Sequence, residues 1–432
     1  MSQIWPNMQV TVMGLGRFGG GAGVTRWLLD QGASVRLTDT APADQLESQR
    51  APFDADIEAG RLTTRFGGHE TRDFEHCDLV VANPAVPRPW DNPYLRAAMD
   101  ADVPVTTEIR LLTERINRDR TIGVTGSAGK STTTSMIHHI LHEANHPVRL
   151  GGNIGGSLLP ELNAITPDEW IVLELSSAML YWLGERIGFN DAPGWSPHIA
   201  LLTNISPNHL DWHRDMACYE HCKHNIFRYQ ASDDRQLTRQ DQDASRVPLE
   251  IPGEHNQVNA RFAADAVAAA TGCSQRDALG RLETFRGLPH RLELVCSIDG
   301  CRFYNDSKST TPDASIRAVD AFDDSSRVHL IAGGYDKSID LQPIADLVTR
   351  VAGIYTIGTT GPEIHRRASA IDDRRSWACV TLDRAVEHAR ARMAKGDLLL
   401  LSPGCASWDQ FDHFEQRGER FASLVQPHVT SS

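Results

Sequence analysis

Short apolar runs alternate with stretches of helical periodicity along almost the whole chain. Gln9–Met13, Ser34–Asp39, Thr121–Thr125, Trp170–Leu175, Ile199–Asn204, His329–Ala332, Ile354–Ile357 and Leu398–Leu401 read as strands. They are too short for helices, and the segments between them, such as Val24–Gln31, carry the helical pattern. Near-continuous apolar character marks strands buried on both faces, so an α/β fold with mostly parallel sheets is expected. The polar stretch Ser232–Arg246, rich in Asp, Gln and Arg, reads as a loop or disordered link. No internal repeat is evident.

A chain of 432 residues exceeds one ordinary core. The strand and glycine-loop pattern predicts three domains: 1–117, 118–289 and 290–432. The first and last are expected to be Rossmann-like, and the central one to be a P-loop domain. With 41% hydrophobic and 23% charged residues the composition is globular. A net charge of -13 argues against nucleic acid as a partner, although a local basic pocket for a phosphorylated substrate is compatible with it. The opening MSQIWPNMQV has no basic stretch followed by an apolar core, and runs such as Leu398–Leu401 are too short to span a bilayer. A cytoplasmic location without membrane insertion is expected. Eight scattered cysteines form no disulfide framework. His213, Cys218, His221, Cys222 and His224 lie close together, but their spacing matches no closed zinc pattern. They read as ordinary side chains beside another site.

Two glycine loops carry the chemistry. In the first, Gly14-Leu15-Gly16-Arg17-Phe18-Gly19 follows a strand and opens a helix, and Asp39 closes the next strand. This is a dinucleotide-binding fingerprint, whose glycines let backbone N–H groups approach a diphosphate while the acid meets a ribose hydroxyl. Alone it suggests NAD and an oxidoreductase, yet a UDP-sugar also supplies a diphosphate beside a ribose. A tight turn without ligand is the bland alternative.

The second loop, Gly126-Ser127-Ala128-Gly129-Lys130-Ser131-Thr132, also lies between a strand and a helix. The strict P-loop pattern asks for glycine at 124, where Val124 stands, and Gly126 lies inside the loop instead. Its backbone would cradle the phosphates of ATP, Lys130 would reach the β/γ-phosphates and Ser131 would place its hydroxyl on Mg²⁺. Glu174 and His209 sit near the C-terminal ends of two further strands, where ligands of open α/β sheets collect. Each by itself is equally readable as a cap, an ion pair or a structural histidine.

Taken in order, GSAGKSTT at 126–133, GGNIG at 151–155, LELSS at 173–177, NHLD at 208–211 and GEHNQVNA at 253–260 resemble the Mur ligase family. GLPHR at 287–291, NDSKST at 305–310, GGYDKS at 333–338 and SPGCASWDQFDHFEQRG at 402–418 extend the resemblance over nearly the whole chain. The last stretch, with the GLGRFG opening, points to the branch that adds D-glutamate to UDP-N-acetylmuramoyl-L-alanine. A sibling muropeptide ligase with another acceptor is the alternative.

The resemblance implies an ATP-dependent, monomeric amide-forming ligase of peptidoglycan precursor synthesis with two Mg²⁺ ions. Ser131 and Glu174 would hold one ion; His209 and a carbamylated Lys223 would hold the other. Lys130 and Lys308 complete the catalytic set it implies. Asn256, Asn259, Arg291 and Asp306 would contact the nucleotide beside residues 126–132. Gly14, Arg17, Phe18, Asp39, Thr40 and Asn153 would meet the UDP substrate. Thr310, Lys337, Ser407 and Phe414 would surround D-glutamate. Without the resemblance, Lys223 reads as a solvated helix lysine. Three features depart from the family: Asn83-Pro84-Ala85 stands where Ser-Pro-Gly is common, Ala41-Pro42 stand after Asp39-Thr40 where a basic residue is expected, and the segment between Lys223 and His255 is short. Residues 229–246 are too polar to supply a buried strand there.

Overall fold

The computed structural model describes residues 5–15, 20–187, 192–209, 212–238, 247, 249–337 and 339–426. The chain divides into two compact units, Met1–Ala244 with Asn259–Arg281, and Ser245–Val258 with Leu282–Ser432. Among the described residues, sixteen strands form three sheets. The expected α/β class with mostly parallel sheets is what the structure contains.

The first unit holds two five-stranded parallel sheets. One is ordered β3-β2-β1-β4-β5, built from β1 (Gln9–Met13), β2 (Ser34–Asp39), β3 (Leu62–Phe66), β4 (Leu79–Ala82) and β5 (Val105–Thr106). The other is ordered β10-β9-β6-β8-β7, from β6 (Thr121–Thr125), β7 (Val148–Gly152), β8 (Trp170–Glu174), β9 (Ile199–Leu202) and β10 (Arg235–Thr238). Every pairing in both is parallel. β4, β6, β8 and β9 are buried along their whole length, as parallel strands covered on both faces are.

The strand order reverses at β1 in one sheet and at β6 in the other, and such reversals open a crevice beyond the strands' C-terminal ends. Those ends are where the chain has its two glycine loops. Topology and glycine placement therefore select the same two points.

One expectation needs correction. Within the polar stretch read as a loop, Arg235–Thr238 forms the edge strand β10, in parallel register with Ile199–Leu202. It is mostly exposed, so backbone pairing rather than burial defines it, and polar side chains suit an edge facing water. The stretch is anchored by Asp234, which pairs with Arg118 and His198. Residues 239–246 lie outside the described residues.

The second unit holds a six-stranded sheet ordered β11-β12-β16-β13-β14-β15. Its strands are β11 (Glu293–Ile298), β12 (Cys301–Asn305), β13 (Val328–Gly333), β14 (Gly353–Ile357), β15 (Ser376–Val380) and β16 (Leu398–Leu401). Only the β11–β12 pair is antiparallel. The four leucines of β16 feed apolar clusters on the two faces of the sheet. Burying each stabilises the fold by roughly 1.5–3 kcal/mol. Among the described residues, no helix is long and apolar enough to cross a membrane.

Candidate active site

The chain leaves β6 through Gly126 and enters the helix Lys130–Glu143 through Gly129, both in the left-handed half of backbone space. A side chain at 126 would overlap the Thr203 hydroxyl, and one at 129 would lie 2.6 Å from Asn259 Oδ1. The loop is shaped by the residues just after β9. Thr203 Oγ1 and Asn204 Nδ2 donate to the Ala128 carbonyl at 2.7 and 2.9 Å, and Asn204 Oδ1 accepts from the Ala128 N–H at 3.0 Å. Ser127 Oγ lies 2.8 Å from the Tyr219 hydroxyl, and Lys130 Nζ donates to the Ser127 carbonyl at 3.3 Å. Ser131 is half-buried on the first turn of the helix, and Thr132 is buried beside it.

Glu174 ends β8, one strand from the loop, and is buried. Its Oε1 accepts from Asn153 Nδ2 at 2.8 Å, whereas Oε2 is buried with no hydrogen-bond partner. An unpartnered buried carboxylate oxygen is costly unless a cation meets it. Gly152 belongs to the same corner: a side chain there would strike the Glu174 carbonyl oxygen.

Lys223, on the helix Met216–Arg228, is only 1% exposed. Its Nζ donates to the Gly126 carbonyl at 2.7 Å. Burial, reinforced by the Lys130 charge, brings its pKa down to about 7, against the pull of Cys222 and Glu174. The solvated-lysine reading falls on this burial. His209 is exposed at the far end of the loop after β9, with φ of 53°.

Gly14, Gly126, Lys130, Asn153, His209 and Lys223 line one cavity of about 580 Å³. Both glycine loops thus open into the same space. Asp39 is tied down: Oδ2 accepts from the Leu15 N–H and Oδ1 from the Ala41 N–H, each at 2.9 Å. The carboxylate that the fingerprint assigns to a ribose also holds the glycine turn together. Thr40 is exposed beside it. Arg17 and Phe18 lie outside the described residues.

The remaining expected residues lie in the second unit, except Asn259, whose amide is packed against Gly129. Asp306 is buried after β12, accepting from Ser402 Oγ at 2.7 Å and the Leu292 N–H at 3.2 Å; burial raises its pKa to about 6. Exposed Lys308 places Nζ 5.7 Å from the centre of the Phe414 ring, and Lys337 places its own 4.5 Å from the Trp408 ring. Ser407 is buried, Thr310 half-buried and Arg291 exposed. Asn256 Nδ2 donates to the Pro252 carbonyl at 2.6 Å.

Sequence reasoning missed Asn204, Tyr219 and Glu108. Asn204 ends a strand that the pattern had located, which was its one signal. Glu108 lines the cavity, accepts from Ser157 Oγ at 2.6 Å and has its pKa raised by burial to about 7. Nothing in its spacing marks it.

A P-loop with a buried carboxylate on the adjacent strand and a second glycine turn facing the same cavity defines a nucleotide-dependent P-loop enzyme. Comparison with known proteins narrows this class. Residues 124–258 match the Mur ligase middle domain, and residues 290–405 match the Mur ligase, glutamate ligase domain. The UDP-N-acetylmuramoylalanine--D-glutamate ligase of Acidobacterium capsulatum is 34% identical over 467 residues, covering 97% of this chain and 96% of the relative. The enzyme of the same name from Roseiflexus sp. is 35% identical over 477 residues, covering 96% and 97%. Both alignments are longer than this chain, so the relatives carry insertions relative to it. The solved UDP-N-acetylmuramate-alanine ligase of Thermotoga maritima superposes with a TM-score of 0.56 at 17% identity, covering 96% of this chain and 99% of that one.

The chain belongs to the Mur ligase family. It is an ATP-dependent amide-bond-forming ligase, and the oxidoreductase alternative falls.

Proposed function

We propose that the protein joins D-glutamate to UDP-N-acetylmuramoyl-L-alanine at the expense of ATP, in the cytoplasm and as a monomer. Domains at 1–117, 118–289 and 290–432 would bind the UDP substrate, ATP and the amino acid respectively. The reading is carried by the convergence of Gly14, Lys130 and Lys223 on one cavity, in a chain whose full-length relatives bear that activity's name.

Lys130 and the 126–131 backbone bind the triphosphate, while Gly14 and Asn153 bind the diphosphate of the UDP substrate. The L-alanyl carboxylate attacks the γ-phosphorus, ADP leaves, and an acyl phosphate forms. The amine of D-glutamate, having lost its proton, attacks the acyl carbon; phosphate leaves and an amide remains. Carboxylates and triphosphate repel one another, so the positive charge of Lys130 and Lys308 lowers the barrier electrostatically. Thr310, Lys337, Ser407 and Phe414 would orient the incoming amino acid. Asn256, Asn259, Arg291 and Asp306 would contact the nucleotide.

The orphaned Glu174 oxygen fits a hard divalent cation, which Ser131 would share, and His209 with Lys223 would hold a second. Bound Mg²⁺ would supply charge neutralisation at the phosphates. Lys223 as an ammonium cannot ligate a cation, but its lowered pKa favours the neutral amine that CO₂ carbamylates, giving an anionic oxygen ligand.

The test is phosphate release from ATP with UDP-N-acetylmuramoyl-L-alanine and, in turn, D-glutamate, L-glutamate, L-lysine or diaminopimelate. Release with D-glutamate alone is expected. A preference for another acceptor moves the protein to a sibling activity.

A further inference from the structure

The five His and Cys residues at 213–224 do not behave alike in the fold. His221 lies 3.1 Å from an Arg228 nitrogen, and the His224 ring lies near Phe227. His213, Cys218 and Cys222 instead converge: one ligand atom of each lies within 4.8 Å of the other two. Cys218 and Cys222 are four residues apart on the helix Met216–Arg228, so both thiols share a face, and His213 reaches that face from the preceding loop. The Cys218 Sγ to His213 Nδ1 distance is 3.8 Å. Zinc–sulfur and zinc–nitrogen bonds of about 2.3 and 2.0 Å in a tetrahedral site put those donors roughly 3.6–3.8 Å apart. Small side-chain rotations close the remaining gap.

We propose that His213 Nδ1, Cys218 Sγ and Cys222 Sγ bind one thiophilic divalent cation of the zinc class. A second feature aims the histidine. Its other nitrogen, Nε2, lies 2.9 Å from Ser177 Oγ, the outer hydrogen bond that orients a metal-ligating imidazole and leaves Nδ1 for the metal. Binding releases both thiol protons to solvent. The two thiolates then balance the dication, so the filled site is neutral, as its burial requires: His213 and Cys222 are 0% and 1% exposed. Half-buried Cys218 and the cavity that His213 lines give an entry path, and the fourth position is left for water.

The site is chemically separate from Glu174. Oxygen ligands there suit a hard cation, whereas two thiolates and an imidazole select a soft one. A cation at the triad ties the loop that follows His209 to the helix that carries Lys223. The inference does not depend on which amino acid the ligase uses, because its readout is metal binding.

The full-length protein, reduced, stripped with a chelator and kept anaerobic, is titrated with Co²⁺. A near-ultraviolet sulfur-to-cobalt band saturating at one equivalent is expected, with visible bands of tetrahedral intensity and displacement by Zn²⁺. Cys218→Ser should weaken binding at least tenfold, and Ser177→Ala roughly 10–100-fold. Cys301→Ser, in the second unit, should leave the titration unchanged. No saturable band, or a full band in a Cys218→Ser/Cys222→Ala double variant, overturns the proposal. Should the double variant fail to fold, cadmium NMR of the unaltered protein decides. A resonance in the range of two sulfurs and one nitrogen supports the site, and one in the all-oxygen range overturns it.

Discussion

Lys223→Met, read against the intact protein, tests whether burial makes Lys223 a reactive amine. Nζ is held against the Gly126 carbonyl, and burial first, then the Lys130 charge, lowers its pKa from 10.5 to about 7. At pH ~7.5 about three-quarters of Lys223 is then neutral, against about 0.1% of an ordinary lysine, a roughly 800-fold enrichment of the nucleophile. Between about pH 7 and 9 that neutral fraction only doubles, whereas an ordinary lysine's rises about a hundredfold. Isotopically labelled CO₂ is the suitable probe, because it is small enough to reach a side chain that bulky acylating reagents cannot. In metal-free protein the initial rate of label uptake on the Lys223 peptide, per dissolved CO₂, should roughly double over that range. It can be read by mass spectrometry after a methylating trap. Lys223→Met should remove the label. A rise near a hundredfold would refute the argument, since it would mean the ammonium is as comfortable in the fold as in water. The same shift has a stability consequence. Between about pH 7 and 10.5 the unfolded chain holds a proton on Lys223 that the folded chain lacks, so this residue's contribution to stability increases as pH rises through that window.

Glu174→Gln replaces a carboxylate whose Oε2 no donor satisfies, so the ligand-free protein should gain about 1–3 kcal/mol, seen as a higher thermal midpoint. The same variant should lose the added stability that Mg²⁺ with ATP confers on the wild type; a destabilised variant that still responds to magnesium would sink the assignment. Gly126→Ala meets both an unfavourable φ and the Thr203 hydroxyl, and should cost about 1–3 kcal/mol and most nucleotide binding. Thr203→Ala should recover part of the stability, and equal thermal midpoints for wild type and Gly126→Ala would refute the overlap. Asp306 is raised from 3.8 to about 6 by burial, so the folded state binds the extra proton between those values. Its contribution is complete below about pH 3.8 and falls away as pH rises through about 6, by roughly 3 kcal/mol at most. Asp306→Asn should flatten that slope in pH-dependent denaturation, and an unchanged slope would exclude the shift.

The parts legible in the chain were those set by local patterns. Apolar runs marked β8, β9 and β16 because a strand covered on both faces has no polar side to interrupt the pattern. The P-loop was legible because its glycines answer a backbone demand that few other residues meet. β10 was not, since an edge strand held by backbone pairing alone leaves no apolar signature. Nor was the use of Asp39: spacing located the acid, but only the fold shows both oxygens occupied by the backbone of its own turn. The Cys218–Cys222 pair could be placed on one helical face, yet the approach of His213 depends on a loop path that no periodicity encodes.

Burial resolves what composition left open at the catalytic corner. Glu174 and Lys223 are opposite charges sealed into one region, yet the nearest hydrogen-bonding partner of each is something else: Asn153 for the acid, the Gly126 carbonyl for the amine. If their purpose were mutual neutralisation, a direct ion pair would give the larger stabilisation, because a buried charge left apart from its counterion bears its desolvation cost alone. Instead the carboxylate keeps one oxygen unsatisfied and the ammonium is pushed towards the neutral amine. Stability is sacrificed at both residues: the carboxylate is left short of a positive partner that the protein itself does not supply, and the amine is left without an anion close enough to hold its charge. That shortage is what a site awaiting divalent cations requires, and it is why Glu174→Gln and Lys223→Met should relieve the ligand-free fold while abolishing turnover.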